Sequence, residues 1–166
     1  MDEVQRTIET LRIHERLSLY TLTIDGGDPA GWAACFTQDG AFSQGGLVIR
    51  GRDRLRAYAG IHNRTLGSRH ITASPSDRIA GDGRSATGRS TTVVTVATRT
   101  GFRIAMTGAY TDTLAKVDGE WLIAQRTVTV EGLPEDPAFP MLSSDPEIET
   151  LAQPLLNAWR RLGEPA

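Results

Sequence analysis

The sequence predicts an α+β domain, in which helices pack on one face of a curved antiparallel sheet, and three observations predict it. Helical periodicity dominates residues 3–66; Thr-, Val- and Ile-rich segments follow from His70 onward; and the turn signals GDG, RTG and VDG divide those segments into four. Helices gathered ahead of a run of strands, rather than alternating with them, point to an antiparallel sheet and not a parallel one.

The first helix is expected over residues 3–25. One apolar stripe holds Val4, Ile8, Leu11, Leu19 and Leu22, and a second holds Ile13, Leu17, Tyr20 and Ile24, so much of the helix should be in contact with something. Two seams separate the stripes. Gln5, Glu9, Arg12 and Arg16 form a seam expected to face water, while Thr7, Thr10, His14, Ser18, Thr21 and Asp25 form a mostly small and neutral seam expected to face inward. Gly26 and Gly27 end the helix, and Asp28 with Pro29 starts a short second one in DPAGWAACF. AFSQ and LVIR are expected to form a hairpin through Gly45 and Gly46. RDRLRAYAGIHNRTL reads as a third helix that packs through Leu55, Tyr58, Ala59 and Ile61 and leaves His62 in a polar, solvated end. Strands are expected over 70–80, 84–98, 102–116 and 120–130, joined as a meander. The domain is taken as 1–131. Residues 132–166 form a proline-rich connector and a helix from Pro146, with Ile148, Leu151, Leu155, Trp159 and Leu162 on one side and a kink at Pro154. That stripe is expected to dock on the domain or on a neighbouring subunit.

Composition excludes several function classes. Eighteen basic against twenty acidic residues give a net charge of -2 and no cationic field for nucleic acid. No run approaches the length of a membrane span, and the polar N-terminus lacks the apolar stretch of a signal peptide. The single cysteine, Cys35, sits in the apolar run WAACF and reads as a buried thiol of a reducing, cytoplasmic setting. Gly26–Gly27 lacks phosphate-loop spacing, and no Cys/His cluster suits a metal, so no cofactor is expected.

Asp25 is the residue that fits its place least well. A carboxylate on a buried arc is costly unless it is paired. It either binds the Gly26–Asp28 turn or meets a partner, and only three histidines are available. His14 reads as a satisfied helix histidine. His70, in SRHITAS, opens the first long strand, where its ring can face the concave side of the sheet and meet the first helix. An Asp25–His70 pair in an apolar cavity would be a general base whose imidazole is oriented by the carboxylate.

The ordered set I-x-x-x-L-x-L-Y-x-x-x-x-D-x-G-D, W-x-x-x-F-x-x-D-G, R-H, G-x-Y-x-D and D-G-x-W, covering roughly residues 8 to 130, resembles the SnoaL-like group of the nuclear transport factor 2 superfamily. The resemblance implies a cone-shaped, cystatin-like α+β barrel around a deep apolar pocket. Its members include scytalone dehydratase, bile acid 7α-dehydratase, hexachlorocyclohexane dehydrochlorinase, polyketide cyclases, ketosteroid isomerase and noncatalytic dioxygenase small subunits. In the dehydratase and dehydrochlorinase branch, an acid at the end of the first helix pairs with the histidine that opens the sheet, and Asp25 and His70 match both positions. The same branch implies Tyr20 as a donor toward a leaving group and Arg126 and Tyr110 as pocket residues; Phe42, Met106 and Trp32 complete the set expected to contact substrate. Tyr20 is otherwise a rim aromatic, Arg126 an ion-pair partner of Glu131 or Asp112, and Trp32 and Trp121 core. A second histidine of scytalone dehydratase is missing from VVTVATR, so scytalone itself is not implied. The implied activity is a cofactor-independent dehydratase or isomerase acting on a small apolar cyclic, polyketide- or steroid-like molecule, in a homo-oligomer (dimer or trimer). The alternatives are a polyketide cyclase or epoxide-opening enzyme of secondary metabolism, and a noncatalytic small subunit or ligand-binding protein.

Overall fold

In the computed structural model, which describes residues 1–131 and 146–166 apart from the side chains of 63–66, Asp2 starts the first helix by accepting the backbone N–H of Gln5 at 2.8 Å. This helix, α1, runs Glu3–Gly26 and ends where Gly27 takes a left-handed φ of 75°. Asp28 then caps α2 (Pro29–Ala34) by accepting the Gly31 N–H, with Pro29 in the first turn. The hairpin follows as β1 (Phe36–Gln44) and β2 (Leu47–Arg50), joined through Gly45 and Gly46, both at positive φ. After α3 (Arg52–Leu66) come the four long strands β3 (Arg69–Ile79), β4 (Ser85–Thr98), β5 (Gly101–Val117) and β6 (Glu120–Glu131). The expected connector, 132–145, lies outside the described residues; beyond it are α4 (Pro146–Leu162) and the two-residue strand β7 (Glu164–Pro165).

Among the described residues, seven strands form one sheet in the order β3-β4-β5-β6-β1-β2-β7. The meander β3–β6 is antiparallel throughout, and β1 joins it by pairing parallel to β6. The ladder is interrupted between Phe36 and Ala41, Ala73 and Ser76, Val94 and Thr95, and Thr113 and Leu114. Each such irregularity adds local bend and twist, and together they curve a sheet that stays open, with β3 at one edge. Gly108 permits close strand approach, since a Cβ there would collide with the backbone carbonyl of Thr129.

Helix α1 corrects two expectations. Ile13, Leu17, Tyr20 and Ile24 are buried as expected, but the second stripe is exposed, with Leu11 at 62% and Leu22 at 68%. The helix meets one concave sheet face, and only one stripe can point there. The seam expected to face water is instead an anchor. Glu9 is buried, and its Oε2 accepts from Lys116 Nζ and Trp121 Nε1, both at 2.7 Å, while Oε1 accepts from Gln5 and Arg12. Arg16 donates to the Trp121 carbonyl at 2.7 Å. The Lys116 bond holds the Glu9 carboxyl below its usual range despite burial. The other seam faces β3, where His14 Nε2 lies 2.7 Å from Asp77 Oδ2.

At the far end of the molecule α4 packs on α3, with Ile148, Ala152, Leu155, Ala158 and Trp159 buried, and the helix continues through Pro154. Trp159 stacks on Phe42 with ring centres 5.4 Å apart and meets Tyr58 at 5.1 Å. This pair of contacts seats the helix over the interior of the curved sheet. Among the described residues, no helix is long and apolar enough to cross a membrane.

Candidate active site

Where α1 ends against the beginning of β3, Asp25 takes hold of His70 twice. Its Oδ1 lies 2.6 Å from His70 Nδ1, and its Oδ2 accepts the His70 backbone N–H at 2.8 Å. Two anchors fix both the ring's position and its tautomer: Nδ1 carries the proton toward the carboxylate, and Nε2 is left as the acceptor. Asp25 therefore does more than close a turn. Arg69, one residue before His70, also donates to the Asp25 backbone carbonyl at 2.9 Å, so the helix end and the strand start are stitched by side chain and main chain alike.

His70 lines an enclosed cavity of about 50 Å³ inside the curved sheet, with Tyr20, Trp32, Phe42, Met106 and Tyr110 also on its wall. Six of the eight residues expected in the site thus share one wall, and Asp25 stands behind His70. Arg126 is the exception. It does not line the cavity but lies beneath it, forked onto Asp112 through Nε and Nη2, both at 2.7 Å, with both side chains buried. Its guanidinium is sandwiched between the faces of Tyr20 and Tyr110, at 4.1 and 4.2 Å from the ring centres. Of the readings open for Arg126, the ion pair with Asp112 is the one the geometry contains. Burial works against its charge, but Asp112 and the two rings more than offset this and raise its pKa.

The two tyrosines remain protonated donors. Burial holds the Tyr20 phenol well above its ordinary range and raises Tyr110 too, with Arg126 opposing in both cases. Tyr110 OH also accepts weakly from Thr92 at 3.4 Å. Trp32 is fully buried in an aromatic cluster with Tyr20, Phe36, Phe42 and Tyr58, so its wall position is that of a core residue.

His62 was expected in solvent and is instead buried on the cavity wall, its ring centre 5.6 Å from that of His70. Burial, with the neighbouring His70, pushes its pKa down to about 3, so it is neutral at physiological pH. The signal was present in the spacing: Leu55, Tyr58, Ala59 and His62 recur on one helical face. Cys35 is buried, its Sγ 3.4 Å from the Gly31 carbonyl and its pKa raised by burial, which makes it a packing residue. Among the described residues, no three His, Cys, Asp or Glu side chains converge as metal ligands do.

With this geometry in hand, comparison with known proteins finds a match to the SnoaL-like domain over residues 5–127. The chain belongs to the SnoaL-like family. It is similar to Rv3472, a protein of unknown function from Mycobacterium tuberculosis, with 42% identity, 99% of this chain and 97% of that one covered, and a TM-score of 0.89. Two Novosphingobium aromaticivorans structures share the fold. One is described as nuclear transport factor 2-like with a cystatin-like fold (19% identity, 90% and 92% covered, TM-score 0.71). The other is a candidate scytalone dehydratase (22% identity, 76% and 87% covered, TM-score 0.69). No curated protein matches the chain. In this SnoaL-like chain, the curved, unclosed sheet and its N-terminal helices are those of the nuclear transport factor 2-like fold.

Proposed function

We propose that the chain is a cofactor-independent lyase or isomerase that uses His70 as a general base, and the observation that carries this reading is the doubly held Asp25–His70 pair on an apolar wall. In the reaction, His70 Nε2 takes a proton from an acidic C–H while Asp25 carries the compensating negative charge. The C–H electron pair forms a new C=C bond as the β C–O bond breaks; Tyr20 or Tyr110 donates a hydrogen bond to the departing oxygen, which leaves as water by taking the proton from the His70 imidazolium and so restores the base. In an isomerisation the same pair forms an enolate, whose oxygen the tyrosines stabilise and to whose distal carbon His70 returns the proton. A base so placed contributes about 10²–10⁴-fold. The substrate class that suits the wall is a small cyclic, polyketide- or steroid-like molecule; cyclisation or epoxide opening would use the same base.

A second reading, a noncatalytic subunit or ligand-binding protein, is favoured by one observation: the enclosed cavity is only about 50 Å³, whereas small-molecule sites span roughly 300–1,000 Å³. The readings separate on proton exchange. Hydroxylated and keto-substituted ring compounds incubated in D₂O should exchange an acidic C–H with wild-type protein and not with His70→Gln. No exchange above the buffer rate with wild-type protein would leave the binding reading in place, and exchange undiminished in a well-folded His70→Gln would reject His70 as the base. We further propose a homo-oligomer, supported by the exposed Phe102 and Ile104 on β5, and light scattering at a monomer's mass would reject it.

A further inference from the structure

We propose that ligand reaches His70 from the side, through the cleft between α1 and the edge strand β3, and that it is a ring compound bearing a hydroxyl or carbonyl oxygen. The proposal rests on His70 as the working residue of the site. His70 is the one described residue that lines both the enclosed cavity of about 50 Å³ and this cleft of about 580 Å³. Only the second falls within the size range of small-molecule sites.

The cleft is built in two tiers. At its lip stand Leu22 and Ile71, 68% and 59% exposed, which offer apolar surface to a ring. On its floor are Thr72 and Ser90. The register pairs His70 with Val94 and Thr72 with Thr92, so His70 and Thr72 on β3 and Ser90 on β4 belong to one face of the sheet. Ser90 is only 4% exposed, yet its Oγ has no hydrogen-bond partner, and neither does the buried Oγ1 of Thr72. A buried hydroxyl left unpaired is destabilising, and a ligand that pairs it removes that cost. Two on one face of the sheet, each able to donate and accept, match an oxygen substituent that is itself a hydroxyl or a carbonyl. A carboxylate or phosphate is the poorer fit, since among the described residues no Lys or Arg lines the cleft. The ring against the lip and the oxygen on the floor would place the carbons between them beside His70.

The test uses 2-naphthol as probe and naphthalene as its oxygen-free control, read by amide and histidine-ring chemical shifts in the intact protein. The expected result is that 2-naphthol shifts Thr21, Leu22 and the rings of His14 and His70, while naphthalene binds more weakly. Ser90→Ala should weaken 2-naphthol about fivefold, the loss of one hydrogen bond. Thr21→Trp should block it by filling the cleft, and Leu22→Asp, at a side chain 68% exposed, should weaken it by removing the lip, with melting temperature as the check that both variants fold. Shifts confined to Met106, Ala152 and Leu155, wild-type binding in Leu22→Asp, or no binding at all would overturn the proposal. A failure of the base reading, seen as proton exchange unchanged in His70→Gln, is read without the probe and stays distinct from a failure of the cleft, seen as wild-type 2-naphthol binding in Leu22→Asp.

Discussion

The imidazole of His70 meets the carboxylate of Asp25 at 2.6 Å, and that carboxylate also holds the backbone N–H of the residue it orients. A side chain that grips both ends of its partner leaves the ring no second arrangement. If the pair acts as one unit, His70→Gln should lower turnover by about 10²–10⁴-fold with little change in melting temperature. Asp25→Asn should also be severe, because the compensating charge is lost, and the double variant should cost little more than the worse single one. Additive losses in the double variant would show two independent roles.

The neutral His62 makes acid stability a readout of the cavity. Its folded pKa is lowered to about 3, below the ordinary value of 6.5, so the unfolded chain binds more protons between these limits. The contribution is complete above pH 6.5 and is lost as pH falls toward 3. Glu9, whose pKa is also lowered, acts in the same direction but only below its ordinary value of 4.5, whereas the raised Asp77 works against both. Urea midpoints between pH 4.5 and 6.5 should therefore rise with pH in wild type and flatten in His62→Gln. A parallel slope in the variant would count against burial of His62.

Arg126 and Asp112 should respond very differently to single and paired replacement. Arg126→Met leaves a buried carboxylate without its fork and should destabilise by about 3–5 kcal/mol. Arg126→Met combined with Asp112→Leu removes both charges and should regain much of that loss. Urea unfolding of the three proteins measures the difference; an equal or larger loss in the double variant would mean that the pair contributes more than its desolvation cost.

Trp159 tests what closes the interior. Its ring packs on Phe42 and Tyr58, so Trp159→Ala should cost about 3–5 kcal/mol and enlarge the enclosed space beneath α4. A lower unfolding midpoint and new binding of a fluorescent apolar dye are expected. Wild-type stability would place α4 outside the core.

The sequence shows some of these residues more readily than others. Asp25 was legible because a carboxylate interrupts an apolar arc, and His70 because it opens a strand on the same side. The long strands were legible in their Thr and Val content. Glu9 was not, since Gln5, Arg12 and Arg16 around it describe a wet face while its deciding partners, Lys116 and Trp121, lie more than a hundred residues away. His62 was hidden by the basic composition of its helix although its spacing from Tyr58 was right. The exposed stripe of α1 looked like core because periodicity counts apolar faces and not the surfaces available to cover them. The two-residue strand β7 and the parallel pairing of β1 with β6 leave no local pattern at all.

Helix α1 is fastened at both ends by partners far along the chain: Glu9 to Lys116 and Trp121, at separations of 107 and 112 residues, and Asp25 to His70 across 45. Contacts of such range carry a higher loop-closure cost than the hairpin turns of the meander. Docking of this helix is therefore expected late in folding, with the imidazole oriented in that step. Slowing it, as Glu9→Gln would, should produce a refolding phase in which the sheet's circular dichroism has returned but ligand binding has not. Assembly of the pair, rather than formation of the sheet, then sets the moment at which the chain becomes competent.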